Sequence, residues 1–157
     1  MRETMDTDQS KLKWVAIIGS RNFVNLGLVV GTIQAMVAKH GKDAFAIVSG
    51  GARGVDRMAT DTADLLGVTT RTIKPEYDKY PKAVAPRMRN SVIIKKADIV
   101  IAFWDRSSRG TMDAVFKAKR WGKKIHVFDE QGVVVSEDRW IDPWARLTSR
   151  DRRVDRS

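Results

Sequence analysis

Apolar runs and helical patterns alternate through most of this 157-residue chain. Short continuous apolar runs are typical of strands that are buried on both faces of a sheet. Longer stretches with apolar residues three and four positions apart are typical of helices that pack one face against a core. The pattern predicts strands at 14–18, 45–48, 68–73, 98–103 and 124–128, and helices at 26–39, 56–66, 84–97 and 110–121.

The order of these elements predicts the fold class. Strands separated by helices require right-handed crossovers, which place helices on both faces of a mostly parallel sheet. We therefore predict an α/β fold, a Rossmann-like three-layer sandwich with a sheet of about five or more strands. The folded domain is expected to span residues 14–136, between a polar extension at 1–13 and a helical, arginine-rich tail at 137–157.

The end of the chain carries two weaker patterns. Residues 132–135 are a candidate edge strand. Asp142 and Pro143 resemble a helix cap followed by proline in the first helical turn. Trp140 and Trp144 are four residues apart and would share a helix face, where core packing or a subunit contact is the expected role.

Composition narrows the possible chemistry. Hydrophobic residues make up 43% of the chain, which is enough to build a core and excludes wholesale disorder. The chain has no cysteine and only two histidines, so we expect no disulfide, no metal site and no cofactor. No apolar run approaches the span of a bilayer, and we therefore expect a cytoplasmic protein with no membrane partner.

The formal net charge is +10, and most of it lies on the body of the chain. Residues 1–13 carry three basic and three acidic groups, and residues 138–157 carry six arginines and four aspartates. The residues between them therefore hold +8. A basic body suits phosphorylated ligands or nucleic acid, and it is equally typical of a solvated surface.

Three loops that follow predicted strands combine glycine, hydroxyl groups and arginine. They lie at residues 19–22, 49–56 and 104–111. Ligands of open parallel sheets bind outside the carboxyl ends of the strands, where these loops meet. Backbone N–H groups at glycines and guanidinium groups are suited to a phosphate. The candidate phosphate-binding residues are Gly19, Ser20, Arg21, Ser49, Gly50, Gly51, Ala52, Arg53, Gly54, Asp56, Arg109, Gly110 and Thr111.

Each of these loops also has a purely structural interpretation. Ser20 and Thr111 are suited to capping helices, and Arg53 is suited to pairing with Asp56. Asp56 lies in the first turn of a predicted helix, where the dipole favours a carboxylate. It is expected to orient Arg53 or a ribose hydroxyl, or to act as a cap alone.

The helix predicted after Pro86 begins with an electrostatic conflict. Arg87 and Arg89 lie near its amino end, where the helix dipole disfavours cations. A bound anion would relieve that conflict, so Arg87, Arg89 and Asn90 join the candidate ligand-binding residues. Tyr77 and Tyr80 precede this helix, and their expected role is either base stacking or closure of the core rim.

Four motifs in the chain resemble the SLOG superfamily of Rossmann-like domains. The resemblance covers about residues 14–128 and is strongest to its YspA-like branch, related to YpsA. It implies a nucleotide or nucleotide-derived ligand at the strand ends and a homodimer. The motifs are Ile18-Gly19-Ser20-Arg21, Val48-Ser49-Gly50-Gly51-Ala52-Arg53-Gly54-Val55-Asp56, Arg89-Asn90-Ser91-Val92-Ile93-Ile94 and Arg109-Gly110-Thr111.

The same superfamily includes the LOG phosphoribohydrolases and the DNA-processing protein DprA. The LOG motif Pro-Gly-Gly-x-Gly-Thr-x-x-Glu matches at Gly110 and Thr111, but its glutamate position is Ala114. Asp113 is one residue early and would point about 100° away on a helix. Arg89 corresponds in position to the LOG catalytic arginine. The resemblance to DprA implies binding of single-stranded DNA.

These observations support three hypotheses. The first is binding of a nucleoside phosphate or an ADP-ribose type of ligand, as a sensor or processing domain without turnover. The second is N-glycosidic or phosphoryl hydrolysis, with Asp105 or Asp113 as base and Arg53 or Arg89 stabilising charge. The third is DprA-like binding of single-stranded DNA.

Overall fold

The computed structural model describes residues 12–143. Within them five strands alternate with four helices. The strands are β1 Lys13–Gly19, β2 Phe45–Ser49, β3 Thr69–Thr72, β4 Ile99–Phe103 and β5 Lys124–Phe128. The helices are α1 Leu26–His40, α2 Val55–Leu66, α3 Ala85–Lys96 and α4 Arg109–Arg120, and a 3-10 turn follows at Glu137–Arg139.

All five strands are parallel and form one sheet in the order β3-β2-β1-β4-β5. β1 is central and pairs with both β2 and β4, so that Ile17 lies opposite Ile101. The chain leaves β1 towards one edge through β2 and β3, and then returns to build β4 and β5 on the other side. The predicted α/β, Rossmann-like fold with a parallel sheet is confirmed.

Each face of the sheet packs against two helices. Val15 and Ile17 face α1 and α2, whose buried residues include Ile33 and Ala59. Ala16 and Ile18 face the opposite layer, formed by α3 and α4. Because successive residues of a strand point to opposite faces, the unbroken apolar run of β1 supplies both cores.

The elements begin and end close to their predicted positions, since burial in this fold follows the local apolar pattern. The third strand is the main exception among them. Its predicted range, 68–73, shortens to Thr69–Thr72, because Val68 is still bonded to the end of α2 through its N–H and the Ala63 carbonyl. Gly67 ends that helix in the left-handed conformation.

The candidate edge strand at residues 132–135 does not form. Only an isolated antiparallel bridge joins Phe128 to Val134 there. The Asp129 carboxylate accepts hydrogen bonds from the backbone N–H groups of Gln131 and Val133, which turns the chain locally. Val133 and Val134 are exposed, so burial contributes little to extending a strand.

Trp140 packs on the core, which is one of the two roles expected for it, the other being a subunit contact. Its ring meets Phe116 edge to face with centroids 6.2 Å apart, and its indole N–H donates to the Val135 carbonyl. Its backbone is extended after the 3-10 turn, so it does not begin a helix face. Trp144, the other half of that expected pair, lies outside the described residues, as does most of the predicted C-terminal helix.

None of the helices within residues 12–143 combines the length and apolar character needed to cross a membrane.

Replacement of Ile17 by alanine tests the central strand. Ile17 has no exposed surface, and the substitution removes buried methyl groups and leaves a cavity. We expect urea denaturation to show a loss of about 2–5 kcal/mol in the free energy of unfolding. Val24→Ala is the control, because Val24 is 81% exposed and its loss should cost less than about 0.5 kcal/mol. A loss of similar size in both variants would contradict the packing described.

Candidate functional site

A cleft of about 400 Å³ opens at the carboxyl ends of β1, β2 and β4. It lies where the strand order reverses between β1 and β4, which is the usual ligand position in open parallel sheets. The loops after these three strands and the first turns of α3 and α4 form its walls. The cleft is therefore built by the elements that the sequence pattern predicted to meet.

Ten of the residues proposed from the sequence line this cleft. They share positions on the strand-end loops or on the first turns of α3 and α4. They are Gly19, Arg21, Ala52, Asp56, Arg87, Arg89, Asn90, Asp105, Gly110 and Thr111. Three of these are arginines, so the cleft concentrates positive charge.

The remaining proposed residues do not line the cleft, and several hold its walls from behind. The Ser20 hydroxyl is buried, accepts the Asp105 N–H at 3.1 Å and lies 3.4 Å from the Thr111 hydroxyl. Ser49 lies 3.2 Å from the Thr60 hydroxyl. The others that do not line the cleft are Gly50, Gly51, Arg53, Gly54, Arg109 and Asp113.

Asp113 points away from the cleft. Its carboxylate forms an ion pair of 2.8 Å with Lys117, one helical turn later, in a groove between α3 and α4. The next residue, Ala114, lines the cleft instead. The offset of about 100° per helical residue accounts for this difference, so α4 supplies no carboxylate to the cleft.

Asp105 lines the cleft, but its carboxylate is hydrogen-bonded within its own loop. One carboxylate oxygen accepts the N–H groups of Ser107 and Ser108 at 3.0 and 2.8 Å. Burial raises the pKa of Asp105, but these hydrogen bonds outweigh it and bring the pKa below its usual value. A carboxylate stabilised in this way is a poor general base, so the hydrolytic role expected of Asp105 has no support in its geometry.

Arg89 reaches from α3 across the cleft to the loop after β2. Its guanidinium donates to the Gly50 carbonyl at 2.7 Å, and its Nε donates to the Asn90 amide oxygen at 3.1 Å. A Cβ at Gly50 would lie 2.5 Å from this guanidinium. A side chain at position 50 would therefore require the Arg89 guanidinium to move off the backbone.

Asp56 is the buried acidic partner of this arrangement. One oxygen accepts the Ala52 N–H at 3.3 Å, and the other has no hydrogen-bond partner among the described residues. Burial raises the pKa of the Asp56 carboxyl from 3.8 to about 6, which the Ala52 hydrogen bond and the Arg89 charge only partly oppose. Asp56 therefore changes protonation near neutral pH.

The first two loops are joined by a close backbone contact. Gly54 precedes α2 with a φ of 84°, and a Cβ there would lie 2.6 Å from the Arg21 carbonyl oxygen. Because only glycine fits this contact, the loop that carries Arg21 is held against the start of α2. The contact fixes where the Arg21 side chain leaves the backbone.

Sequence reasoning missed several lining residues. Ser108 caps α4, since its hydroxyl accepts the Thr111 N–H at 3.3 Å, and a serine three residues before a threonine at a helix start was an available signal. Two of the others, Asn22 and Ser107, lie within the loops at 19–22 and 104–111 that the sequence pattern singled out. The short-range pattern does not distinguish the rest, which are Ile18, Pro86, Ile93 and Ala114.

Residues 14–80 match the family described as YAcAr, the YspA, cpYpsA-related SLOG family. These residues contain the first two loops of the cleft, including the glycine-rich segment before α2. The resemblance to the SLOG superfamily is confirmed. No curated protein matches the chain significantly.

Three solved structures are similar in fold to this chain. DNA processing protein A (DprA) from Streptococcus pneumoniae has a TM-score of 0.64 and 22% identity over 91% of this chain. DNA processing protein A from Helicobacter pylori, solved for its single-stranded DNA binding mode, has a TM-score of 0.62 and 20% identity over 92% of this chain. The protein TM1055 has a TM-score of 0.59 and 20% identity over 73% of this chain.

The chain covers different shares of these structures. It spans 58% of the pneumococcal protein, 75% of the Helicobacter protein and 72% of TM1055. At these identities the similarity describes the fold. The ligand must therefore be inferred from the cleft of this chain itself.

The raised pKa of Asp56 predicts a specific dependence of stability on pH. A carboxyl whose pKa is higher in the folded state stabilises the fold most below pH 3.8, and this contribution is lost as pH rises to about 6. Asparagine does not ionise, so Asp56→Asn should not lose stability over this range. Between pH 4 and 7 we expect its free energy of unfolding to rise by on the order of 2 kcal/mol relative to wild type. Urea denaturation across this range measures the difference.

Asp105→Asn is the matched control for that experiment. The pKa of Asp105 is lowered in the folded state, so its contribution is present above pH 3.8 and is lost as pH falls below it. Asp105→Asn should therefore lower the free energy of unfolding relative to wild type above pH 3.8, whereas Asp56→Asn raises it. A difference between wild type and Asp56→Asn that does not vary with pH would show that Asp56 is not buried as described.

Proposed function

We propose that the cleft binds the phosphate-bearing part of a nucleotide or nucleotide derivative, of the nucleoside phosphate or ADP-ribose type. The observation that carries the proposal is the convergence of Arg21, Arg87 and Arg89 on one cleft at the carboxyl edge of the sheet. Guanidinium groups bind phosphate through two parallel hydrogen bonds. The SLOG match supports a ligand of this class.

The start of α3 supports an anion in the same place. This helix has no acidic residue in its first turn and no side chain capping its amino end. Pro86 and Arg87, in that first turn, line the cleft. A phosphate bound here would balance both the helix dipole and the arginines, which otherwise repel one another.

The Tyr77 ring is a candidate surface for a base, because Tyr77 interacts electrostatically with Arg89. Burial lowers the pKa of Arg89, and the charges of Asp56 and Tyr77 partly oppose that effect, so the Tyr77 phenol is an electrostatic neighbour of Arg89. The Tyr77 side chain is 53% exposed. An exposed ring beside a phosphate-binding arginine suits a nucleobase attached to that phosphate.

A second candidate function, hydrolysis of the bound nucleotide, is favoured by Asp56 alone. A carboxyl that lines the cleft and has a pKa of about 6 is suited to general acid–base chemistry near neutral pH. Asp113 is turned away and Asp105 is held by its loop, so the acid–base role would pass from both of them to Asp56. Binding without turnover stays our first proposal.

Glutamine substitutions of the two arginines test the binding site. We expect Arg21→Gln and Arg89→Gln each to weaken binding of AMP or ADP-ribose by about 10- to 100-fold in calorimetry, since a hydrogen bond to a charged group contributes about 1.5–3 kcal/mol. Arg57→Gln is the control, because Arg57 is exposed on α2 outside the cleft. The proposal fails if wild-type protein binds neither compound.

Analysis of the products separates the two candidate functions. After prolonged incubation we expect AMP and ADP-ribose to be recovered intact by chromatography. Release of free base or phosphate that Asp56→Asn abolishes would instead establish hydrolysis. The expected homodimer and cytoplasmic location stay predictions, and light scattering tests the first of them.

A further inference from the structure

A second cavity opens at the end of the sheet opposite to the cleft. It has a volume of about 290 Å³ and lies between the last two turns of α1 and the amino ends of β1, β2 and β4, with His126 of β5 at its side. We call it the amino-end pocket. On β1, Val15 lines this pocket whereas Gly19 lines the cleft. Within residues 12–143 the two cavities have no lining residue in common, so they are separate sites.

The interior of the amino-end pocket is apolar. Its floor belongs to the sheet face that α1 and α2 cover, where Val15, Phe45 and Ile101 are buried. Met36 and Ile99 are half-buried and complete the wall. β1, β2 and β4 each have a neighbouring strand on both sides, so the sheet itself satisfies the polar groups of their backbones. The interior therefore suits a hydrocarbon group.

Three basic side chains lie at the mouth of this pocket. Lys13, His40 and His126 line it, and all three are exposed. His40 is the last residue of α1, and His126 lies opposite Ile101 in the pairing of β5 with β4. The chain has two histidines in total, and the fold brings both of them to this one cavity.

Acidic side chains do not balance these basic groups. Among residues 12–143, no aspartate or glutamate lines the pocket. Asp43 and Asp98 adjoin lining residues in the chain, but both have other partners. The Asp98 carboxylate accepts the Trp14 N–H at 2.9 Å, and Asp43 pairs with Lys42 at 3.4 Å. An ammonium group and imidazole N–H groups in this arrangement favour an anionic group at the mouth.

The shape of the pocket favours a small molecule over a second protein chain. A stable protein interface buries about 800 Å² on each partner around an apolar core. The larger apolar side chains of this pocket are all buried or half-buried, so they offer little surface to a protein. A two-fold dimer here would also place the basic mouths of two copies against each other. Pockets for small molecules begin at about 300 Å³ and are mostly apolar with a few polar groups, as this one is.

We propose that the amino-end pocket binds a small molecule with an apolar body and a single carboxylate, of the medium-chain fatty acid type. The apolar body lies between Met36 and the sheet floor. The carboxylate accepts hydrogen bonds from the Lys13 ammonium and from imidazole N–H groups of His40 and His126, since its two oxygens accommodate several donors. The proposal does not depend on the nucleotide proposed for the cleft.

Calorimetry with octanoate tests the pocket on the full chain, and octanol and octylamine serve as probes with the same apolar body. We expect octanoate to bind most tightly and octylamine most weakly, because an ammonium group at the mouth would be repelled by Lys13. From hexanoate to octanoate the affinity should rise about fourfold with each added methylene, which is the effect of burying one CH₂ group.

Lys13→Gln tests the recognition of the carboxylate. We expect it to weaken octanoate binding by about three- to tenfold, because one charged donor is lost at a position exposed to solvent. Binding of octanol should not change. Lys124→Gln is the matched control, because Lys124 is exposed and lies opposite Ile99 on the neighbouring strand but does not line the pocket.

Met36→Glu tests the apolar wall. A carboxylate placed in that wall should weaken octanoate binding at least about tenfold, through repulsion and through the loss of apolar contact. It should not weaken the binding of octylamine. Gln34→Glu adds the same charge on an exposed position of α1 that does not line the pocket, and it should bind octanoate as wild type does. Thermal unfolding without ligand checks that each variant is folded.

Several results would overturn the proposal. Wild-type protein might bind no octanoate, might bind octanol or octylamine as tightly, or might bind carboxylates regardless of chain length. Equal loss in Lys13→Gln and Lys124→Gln, or in Met36→Glu and Gln34→Glu, would show that octanoate binds elsewhere. A dimer that Met36→Glu dissociates in light scattering, together with no binding of octanoate, would assign the pocket to a second copy of the chain.

Discussion

The hydrogen bond from Arg89 to the Gly50 carbonyl joins the two helical layers at the cleft. Arg89 belongs to α3 on one face of the sheet, and Gly50 leads from β2 towards α2 on the other. The contact places the Arg89 guanidinium directly on the Gly50 backbone, with Asp56 as a buried counter-charge. The shape of the cleft and its positive charge both depend on this contact.

The same contact affects the protonation of the buried Asp56 carboxyl. Desolvation raises the pKa of the Asp56 carboxyl, whereas the neighbouring arginine and the Ala52 amide favour the charged form. The opposing effects leave the pKa near the pH at which proteins work. An anion that drew Arg89 away from Gly50 would weaken the stabilisation of the Asp56 charge, so the proposed ligand binding would be coupled to proton uptake.

Residues of the strand-end loops either line the cleft or support its walls from behind. The residue type does not show which of these two roles a residue has. Arg21 and Thr111 line the cleft, whereas Ser20 lies behind it and holds the Asp105 loop in place. The cleft is therefore lined by arginines and backbone, and buried hydroxyls support these residues from behind. Arg87 also has two positions to serve, since it lines both the cleft and the groove between α3 and α4.

The amino-acid sequence by itself determined the strands, the helices, the parallel sheet and the edge at which the candidate residues meet, because apolar periodicity and glycine positions are local properties of the chain. Only the tertiary structure decided that the Arg89 guanidinium reaches the Gly50 carbonyl, that residues 132–135 form an isolated bridge instead of a strand, and that burial raises the pKa of Asp56 to about 6. These outcomes depend on cross-layer contacts and on desolvation. Each of those is set by residues far apart in the chain, and no short-range pattern contains them.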